Sequence, residues 1–209
     1  LRQTQCVTLD HWNVPGAYRV ATELRNDVEA LLQAIAKSPA AHLLETEIWT
    51  WLDRIETFGL HLARLDVRQD ARQYRPVMDE LLKAAGLSAE PEKLSEAQRQ
   101  AVLVDSLDKR LQIPSSALSP QSHAAVALFR LLHRVNKAFG RQALGGHVIS
   151  MTHAPSDILS VLWMWRQTAI DPLVVDDDLD AALPIIPLFE TIHDLQHGPQ
   201  ILADAIATP

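Results

Sequence analysis

Three short, largely apolar runs, each passing straight into a helical pattern, constrain this chain more than any other feature. They are Leu60-His61-Leu62-Ala63-Arg64-Leu65-Asp66-Val67, His147-Val148-Ile149-Ser150-Met151 and Leu183-Pro184-Ile185-Ile186-Pro187-Leu188-Phe189. Such runs, bounded by turn residues, predict strands near residues 60–67, 147–151 and 184–189. The segments between them are long and helical, which suits the crossover connections that parallel strands require. The expected fold class is therefore α/β, helix-rich, with three parallel strands and helices around them. Three strands cannot close a barrel, which takes eight. Residues 1–209 then read as one partial domain.

The helices are marked by apolar spacing and by their stops. Val20, Ala21, Leu24, Val28, Leu31, Leu32 and Ile35 predict a helix over 15–38, and Leu44, Ile48, Trp51, Leu52 and Ile55 one over 43–57 ended by Gly59. A third follows the first strand to Ala85 and stops at Gly86. Ser95-Glu96-Ala97-Gln98 fits a capping box and opens a helix to about Leu107. Residues 121–139 form a long helix that turns Val126, Phe129, Leu132, Val135 and Phe139 inward and stops at Gly140. Ser156 is expected to cap a helix to Gln167, and a last amphipathic helix runs from Ile192 to Ile206.

Charge and composition exclude several classes. The net charge of -7 lacks the basic excess of a nucleic-acid binder. The longest apolar run, Ile158 to Trp165, is far too short for a membrane helix. Cys6 is the only cysteine, so no intrachain disulfide forms, and a cytoplasmic setting is expected. The chain starts at Leu1 and stops at Pro209 just after a helical pattern, as a piece of a longer protein would.

Ligands of parallel α/β folds bind at the carboxyl ends of strands. The first strand leads to Arg68 and Gln69, the second to Ser150, Met151 and Thr152, and the third to Glu190 and Thr191. A guanidinium offers a planar fork to phosphate oxygens, and a carboxylate offers the hard oxygen that Mg²⁺ prefers. On chemistry alone, Arg68 also reads as a surface or ion-paired residue, and Glu190 as a favourable charge at a helix N-terminus. Other groupings are weaker. Glu190 and His193 have a Glu-x-x-His spacing, and His193 and His197 share a helical face, but no second cluster accompanies them. Asp176 to Asp180 lacks the glycine and distal glutamate of a calcium loop. Trp163 and Trp165 point to different helix faces, as core residues do, and His61 reads as a satisfied strand residue.

Three segments bring these ends together. Phe58-Gly59-Leu60-His61-Leu62-Ala63-Arg64-Leu65-Asp66-Val67-Arg68-Gln69-Asp70 resembles a segment of the phosphoenolpyruvate carboxylases. So do Val148-Ile149-Ser150-Met151-Thr152 with Ser156-Asp157-Ile158-Leu159, and Pro187-Leu188-Phe189-Glu190-Thr191-Ile192-His193-Asp194-Leu195, in that order. The resemblance covers roughly residues 15–206. It implies an incomplete TIM-type barrel and a parent enzyme that adds bicarbonate to phosphoenolpyruvate, giving oxaloacetate and phosphate, with Mg²⁺ or Mn²⁺. By motif, Arg68 resembles the arginine that grips the substrate phosphate, and Glu190 resembles one of two acidic metal ligands.

The same resemblance says what these residues lack. The family's Thr-Ala-His-Pro-Thr histidine motif is absent, and His153-Ala154-Pro155 sits where the family does not place that histidine. The Tyr-Ser-Asp-Ser motif with the second metal ligand is absent too. No catalytic residue is therefore expected in this piece, which should be inactive alone. The parent is expected to be a homotetramer, and the piece to self-associate through exposed strand edges and apolar surface. Two other classes remain in view: a different Mg²⁺-dependent barrel enzyme acting on pyruvate or phosphoenolpyruvate, and a helix-rich scaffold domain.

Overall fold

The structure is a computed structural model that describes residues 16–39, 41–61, 63–109, 111–140, 143–169 and 183–207. The acidic stretch 176–180 lies outside them. Among the described residues the fold is helix-rich α/β, with seven α-helices and an open three-stranded parallel sheet. Two compact units form, Leu1–Leu65 with Arg134–Leu144, and Asp66–His133 with Gly145–Pro209.

The first unit is built on helices α1 (Ala21–Ala36) and α2 (Ala41–Phe58). Val28, Ile48 and Leu52 form its core, with Leu24, Leu31, Leu32, Ile35 and Ile55 packed around them. Leu44 and Trp51 belong to the expected stripe of α2 but remain exposed. Gly59 ends α2 with φ +61°, a conformation that favours glycine.

The second unit holds most of the sheet. Its strands are β1 (Leu65–Asp70), β2 (Leu144–Ser150) and β3 (Ile185–Pro187), in the order β1-β2-β3. β2 and β3 run parallel, with His147 opposite Ile185, Val148 opposite Ile186 and Ile149 opposite Pro187. Gly146 makes that approach possible, because a Cβ there would sit 2.7 Å from Ile186 Cδ1 and 3.1 Å from Pro184 O.

The first strand differs from its expected position. Leu60, His61 and Ala63 do not form strand, and β1 instead runs through the polar residues Arg68, Gln69 and Asp70. Pairing to β2, rather than apolar content, defines its end. His61 is accordingly not a strand residue; its Nε2 lies 3.1 Å from Phe139 O in the first unit.

Helices α3 (Ala71–Ala84), α4 (Glu96–Asp105), α5 (Pro120–Phe139), α6 (Pro155–Ala169) and α7 (Ile192–Ile206) follow. Tyr74, Met78, Leu81 and Leu82 of α3 are buried, as are Leu103 of α4 and Phe129 and Leu132 of α5. So are Leu159, Trp163, Met164 and Trp165 of α6. Trp163 Nε1 donates to Ser106 Oγ at 2.8 Å, while Trp165 stacks on His133 with centroids 3.6 Å apart, so both tryptophans are core residues.

The Ser95 capping box forms as expected. Ser156, by contrast, lies inside α6 and does not cap it: its backbone and hydroxyl both donate to the Glu96 carboxylate, at 2.9 and 2.8 Å. The acceptor at that helix start is Asp157 Oδ2, which takes the His153 and Ala154 amides at 2.9 and 3.1 Å.

Helix α7 is apolar on two faces. Ile201 and Gly198 are buried, whereas Ile192, Leu195, Leu202 and Ile206 are exposed and fall on one stripe by their spacing.

Candidate functional site

The carboxyl ends of the three strands share one edge of the second unit. β1 ends on Asp70, whose position just before α3 suits a capping carboxylate. Its Oδ1 accepts the Arg72 amide at 2.8 Å, and the Arg72 guanidinium closes on both carboxylate oxygens through Nε (3.0 and 3.1 Å) and Nη2 (2.6 Å). The Arg72 hydrogen bond holds Asp70 below the usual carboxylate range. Asp70 first, and Glu190 after it, favour the protonated guanidinium of Arg72.

β2 ends on Ser150, whose hydroxyl donates to Gln69 O at 3.4 Å. Met151 then turns with φ +54°, an uncommon conformation for a residue with a side chain. Its amide donates to Glu190 Oε2 at 2.9 Å. Thr152 is buried, with its hydroxyl on Ile149 O (3.0 Å) and its amide on Leu188 O (3.3 Å).

Beyond β3, the Leu188 amide donates to Ile149 O at 2.8 Å. Phe189 lies against Gly198, where a Cβ would be 2.9 Å from the ring. Thr191 and Asp194 form a reciprocal capping box for α7, with bonds of 3.0 and 3.1 Å. Asp194 Oδ1 also pairs with His153 Nδ1 at 2.7 Å. The His153 contact, then the Thr191 hydroxyl, hold the Asp194 carboxyl down at about 2.

The two residues singled out from the sequence both lie in this unit. Arg68 is exposed in β1, two residues before the end of the strand, and carries no ion pair among the described residues. Glu190 is exposed three residues past β3, held through one oxygen by Met151. No contact joins Arg68 directly to Glu190 among the described residues.

His193 and His197 stack on each other with centroids 4.1 Å apart, and His197 Nδ1 lies 2.8 Å from His193 O. No group of three or more His, Cys, Asp or Glu side chains is placed to hold a metal ion among the described residues. Sequence reasoning missed Arg72 and the His153–Asp194 pair. Asp70 directly before a helix was a signal for the first; the second joins residues 41 positions apart, and no local pattern announces it.

A cavity of about 630 Å³ lies in the first unit, lined by Ile55, Phe58, Leu60, Phe139, Arg19 and Arg64 among others. No helix among the described residues is long and apolar enough to cross a membrane.

The family model for phosphoenolpyruvate carboxylase matches residues 2–209. The phosphoenolpyruvate carboxylase of Ralstonia nicotianae is 30% identical over 197 residues, which is 92% of this chain and 20% of that protein. That of Xanthomonas euvesicatoria pv. vesicatoria is 32% identical over 203 residues, 97% of this chain and 21% of that protein. The chain thus spans about a fifth of the length of these relatives. A match over nearly every residue, with the motif-bearing strand ends at one sheet edge, places this chain in the phosphoenolpyruvate carboxylase family.

Proposed function

We propose that this chain supplies one wall of a phosphoenolpyruvate carboxylase active site, in a parent enzyme that adds bicarbonate to phosphoenolpyruvate to give oxaloacetate and phosphate. The observation that carries the reading is the exposed Arg68, without an ion pair among the described residues, on the same sheet whose carboxyl edge bears Glu190. An unneutralised guanidinium on a strand near its carboxyl end is a ready phosphate contact. Arg68 grips and orients the phosphate and neutralises its charge.

Glu190 fits a Mg²⁺ or Mn²⁺ ion. Its Oε2 is occupied by the Met151 amide, which leaves Oε1 as a hard oxygen donor. Mg²⁺ is commonly held by one or two carboxylates plus water and substrate oxygens, so a single carboxylate here is chemically sufficient as this segment's share. When bound, the ion supplies charge stabilisation for the developing anionic oxygens. Asp70 and Arg72 neutralise each other beside this position, which leaves Arg68 as the cation offered to the phosphate.

In this reading the strands belong to a TIM-type barrel whose remaining strands lie in the rest of the parent domain, and residues 1–209 are one part of it. The parent is a cytoplasmic homotetramer. The segment alone is inactive, since it brings no proton-transfer group.

The test is a coupled malate dehydrogenase assay. The complete protein carrying this segment should turn over phosphoenolpyruvate with bicarbonate and Mg²⁺, and Glu190→Gln should lower kcat by about 100-fold or more. Residues 1–209 alone should show no turnover. Full activity of the Glu190→Gln protein would remove Glu190 from the site.

A further inference from the structure

We propose that His153 is a positioning residue for Glu190, acting as a latch between the loop after β2 and the loop after β3. The inference rests on the reading of Glu190 as a metal ligand and names what holds that side chain in place.

Glu190 sits on a loop, exposed, where a carboxylate would ordinarily sample several rotamers. It is bracketed instead. On one side its Oε2 accepts the Met151 amide at 2.9 Å. Met151 holds φ +54°, so its amide keeps that aim only while the turn is fixed at both ends. The sheet fixes the upstream end, because Ile149 O accepts from the Leu188 amide at 2.8 Å and from the Thr152 hydroxyl at 3.0 Å.

His153 fixes the downstream end. Its amide donates to Asp157 Oδ2 at 2.9 Å, and its ring Nδ1 lies 2.7 Å from Asp194 Oδ1. Asp194 is 2% exposed, and its Oδ2 accepts the Thr191 amide at 3.1 Å. That amide belongs to the peptide bond leaving Glu190. Glu190 is thus gripped at its carboxylate by a residue two before His153, and at its own peptide by the carboxylate that His153 holds. His193 Nδ1 is 3.9 Å from the same Asp194 oxygen, and its side chain is 78% exposed, so it cannot replace the 2.7 Å contact.

The geometry is that of an outer residue that orients a ligand-bearing carboxylate, whose loss weakens metal binding by about 10–100-fold. It makes no contact with substrate, so its effect should appear in loop protection and metal affinity.

The test uses hydrogen–deuterium exchange and Mn²⁺ binding on the complete protein carrying this segment, as wild type, His153→Ala and His153→Asn. Asparagine keeps an N–H donor where the ring presents Nδ1. Exchange is read on peptides covering residues 150–154 and 188–194, with 144–149 as the reference, since the His147 amide donates to Pro184 O at 2.7 Å inside the sheet. The expected result is faster exchange in the first two peptides of His153→Ala, an unchanged reference peptide, and near wild-type exchange in His153→Asn. Mn²⁺ affinity, followed by electron paramagnetic resonance without substrate, should fall by about tenfold in His153→Ala and recover in His153→Asn.

Unchanged loop exchange in His153→Ala would overturn the latch. Faster exchange in all three peptides would overturn it too, because His153 would then hold the fold rather than the loop. Local loosening with unchanged Mn²⁺ affinity would support the latch and overturn the metal role of Glu190 instead.

Discussion

Acid should weaken the second unit through one buried histidine. His147 of β2 is fully buried, with its Nε2 2.9 Å from the Tyr74 hydroxyl and its ring stacked near Tyr74 and Phe129. Burial pushes the Tyr74 phenol up, so it stays protonated and keeps a hydrogen that it can offer to the imidazole. His147 Nδ1 has no partner among the described residues. A protonated ring there would place an unpaired charge in an apolar core, and burial pushes the His147 pKa down from 6.5 to about 4. Between those values the unfolded chain binds a proton that the folded chain refuses, so stability falls as pH falls. It is fully present above pH 6.5 and declines towards pH 4, where the loss levels off. The gap between 6.5 and about 4, at about 1.4 kcal/mol for each pH unit, comes to about 3 kcal/mol. That is a large part of the roughly 5–15 kcal/mol that holds a domain folded.

Urea unfolding followed by the fluorescence of buried Trp163 and Trp165 reads this directly, at pH 7, 5.5 and 4. His147→Gln does not titrate and can still accept from Tyr74. It should flatten the decline between pH 6.5 and 4 relative to wild type, whatever it costs at neutral pH. The acidic groups are common to both proteins and cancel in the difference. Parallel declines in the two proteins would refute the reasoning.

Two further outcomes follow from packing. Gly198→Ala would normally favour a helix by about 1 kcal/mol, but its Cβ would meet the Phe189 ring at 2.9–3.2 Å and it precedes Pro199. A net loss of about 1–2 kcal/mol in thermal unfolding is expected, with Phe189 displaced beside Glu190. Arg99 is buried and donates to Asp79 Oδ1 at 2.5 Å and to Pro91 O at 2.9 Å. Arg99→Met should cost about 3 kcal/mol by denaturant titration, and adding Asp79→Leu should recover part of it by removing the stranded carboxylate.

Sequence reading and structure meet where local chemistry decides. The 3.6-residue spacing from Ile192 to Ile206 and the Ser95 box both act within one element, and both appear as read. The apolar run around Val148 and Ile149 is buried on every side, so its strand was visible too. β1 was displaced because Arg68, Gln69 and Asp70 are strand only through their neighbour β2, and polarity disguised them. Ser156 looked like a cap because serine often caps, but a tertiary partner, Glu96, claims both its hydroxyl and its amide. In the candidate site, Arg68 and Glu190 were legible from their places after the expected strands and from motif resemblance, whereas the bond that holds the Glu190 carboxylate comes from a residue 39 positions away. Such pairings are set by topology, and a single sequence does not carry them.

The exposed stripe of Ile192, Leu195, Leu202 and Ile206 is apolar surface that a second molecule would cover, and protein concentration would then become a variable in stability measurements on this segment. Any apolar surface that covers that stripe binds the folded form alone, so it raises the apparent unfolding midpoint by mass action. Midpoints that rise with protein concentration would report association through this stripe rather than the core. A polar stripe on α7, with Leu195 and Leu202 replaced by Lys, should leave midpoints independent of concentration, and that protein is the proper reference for the energies given above.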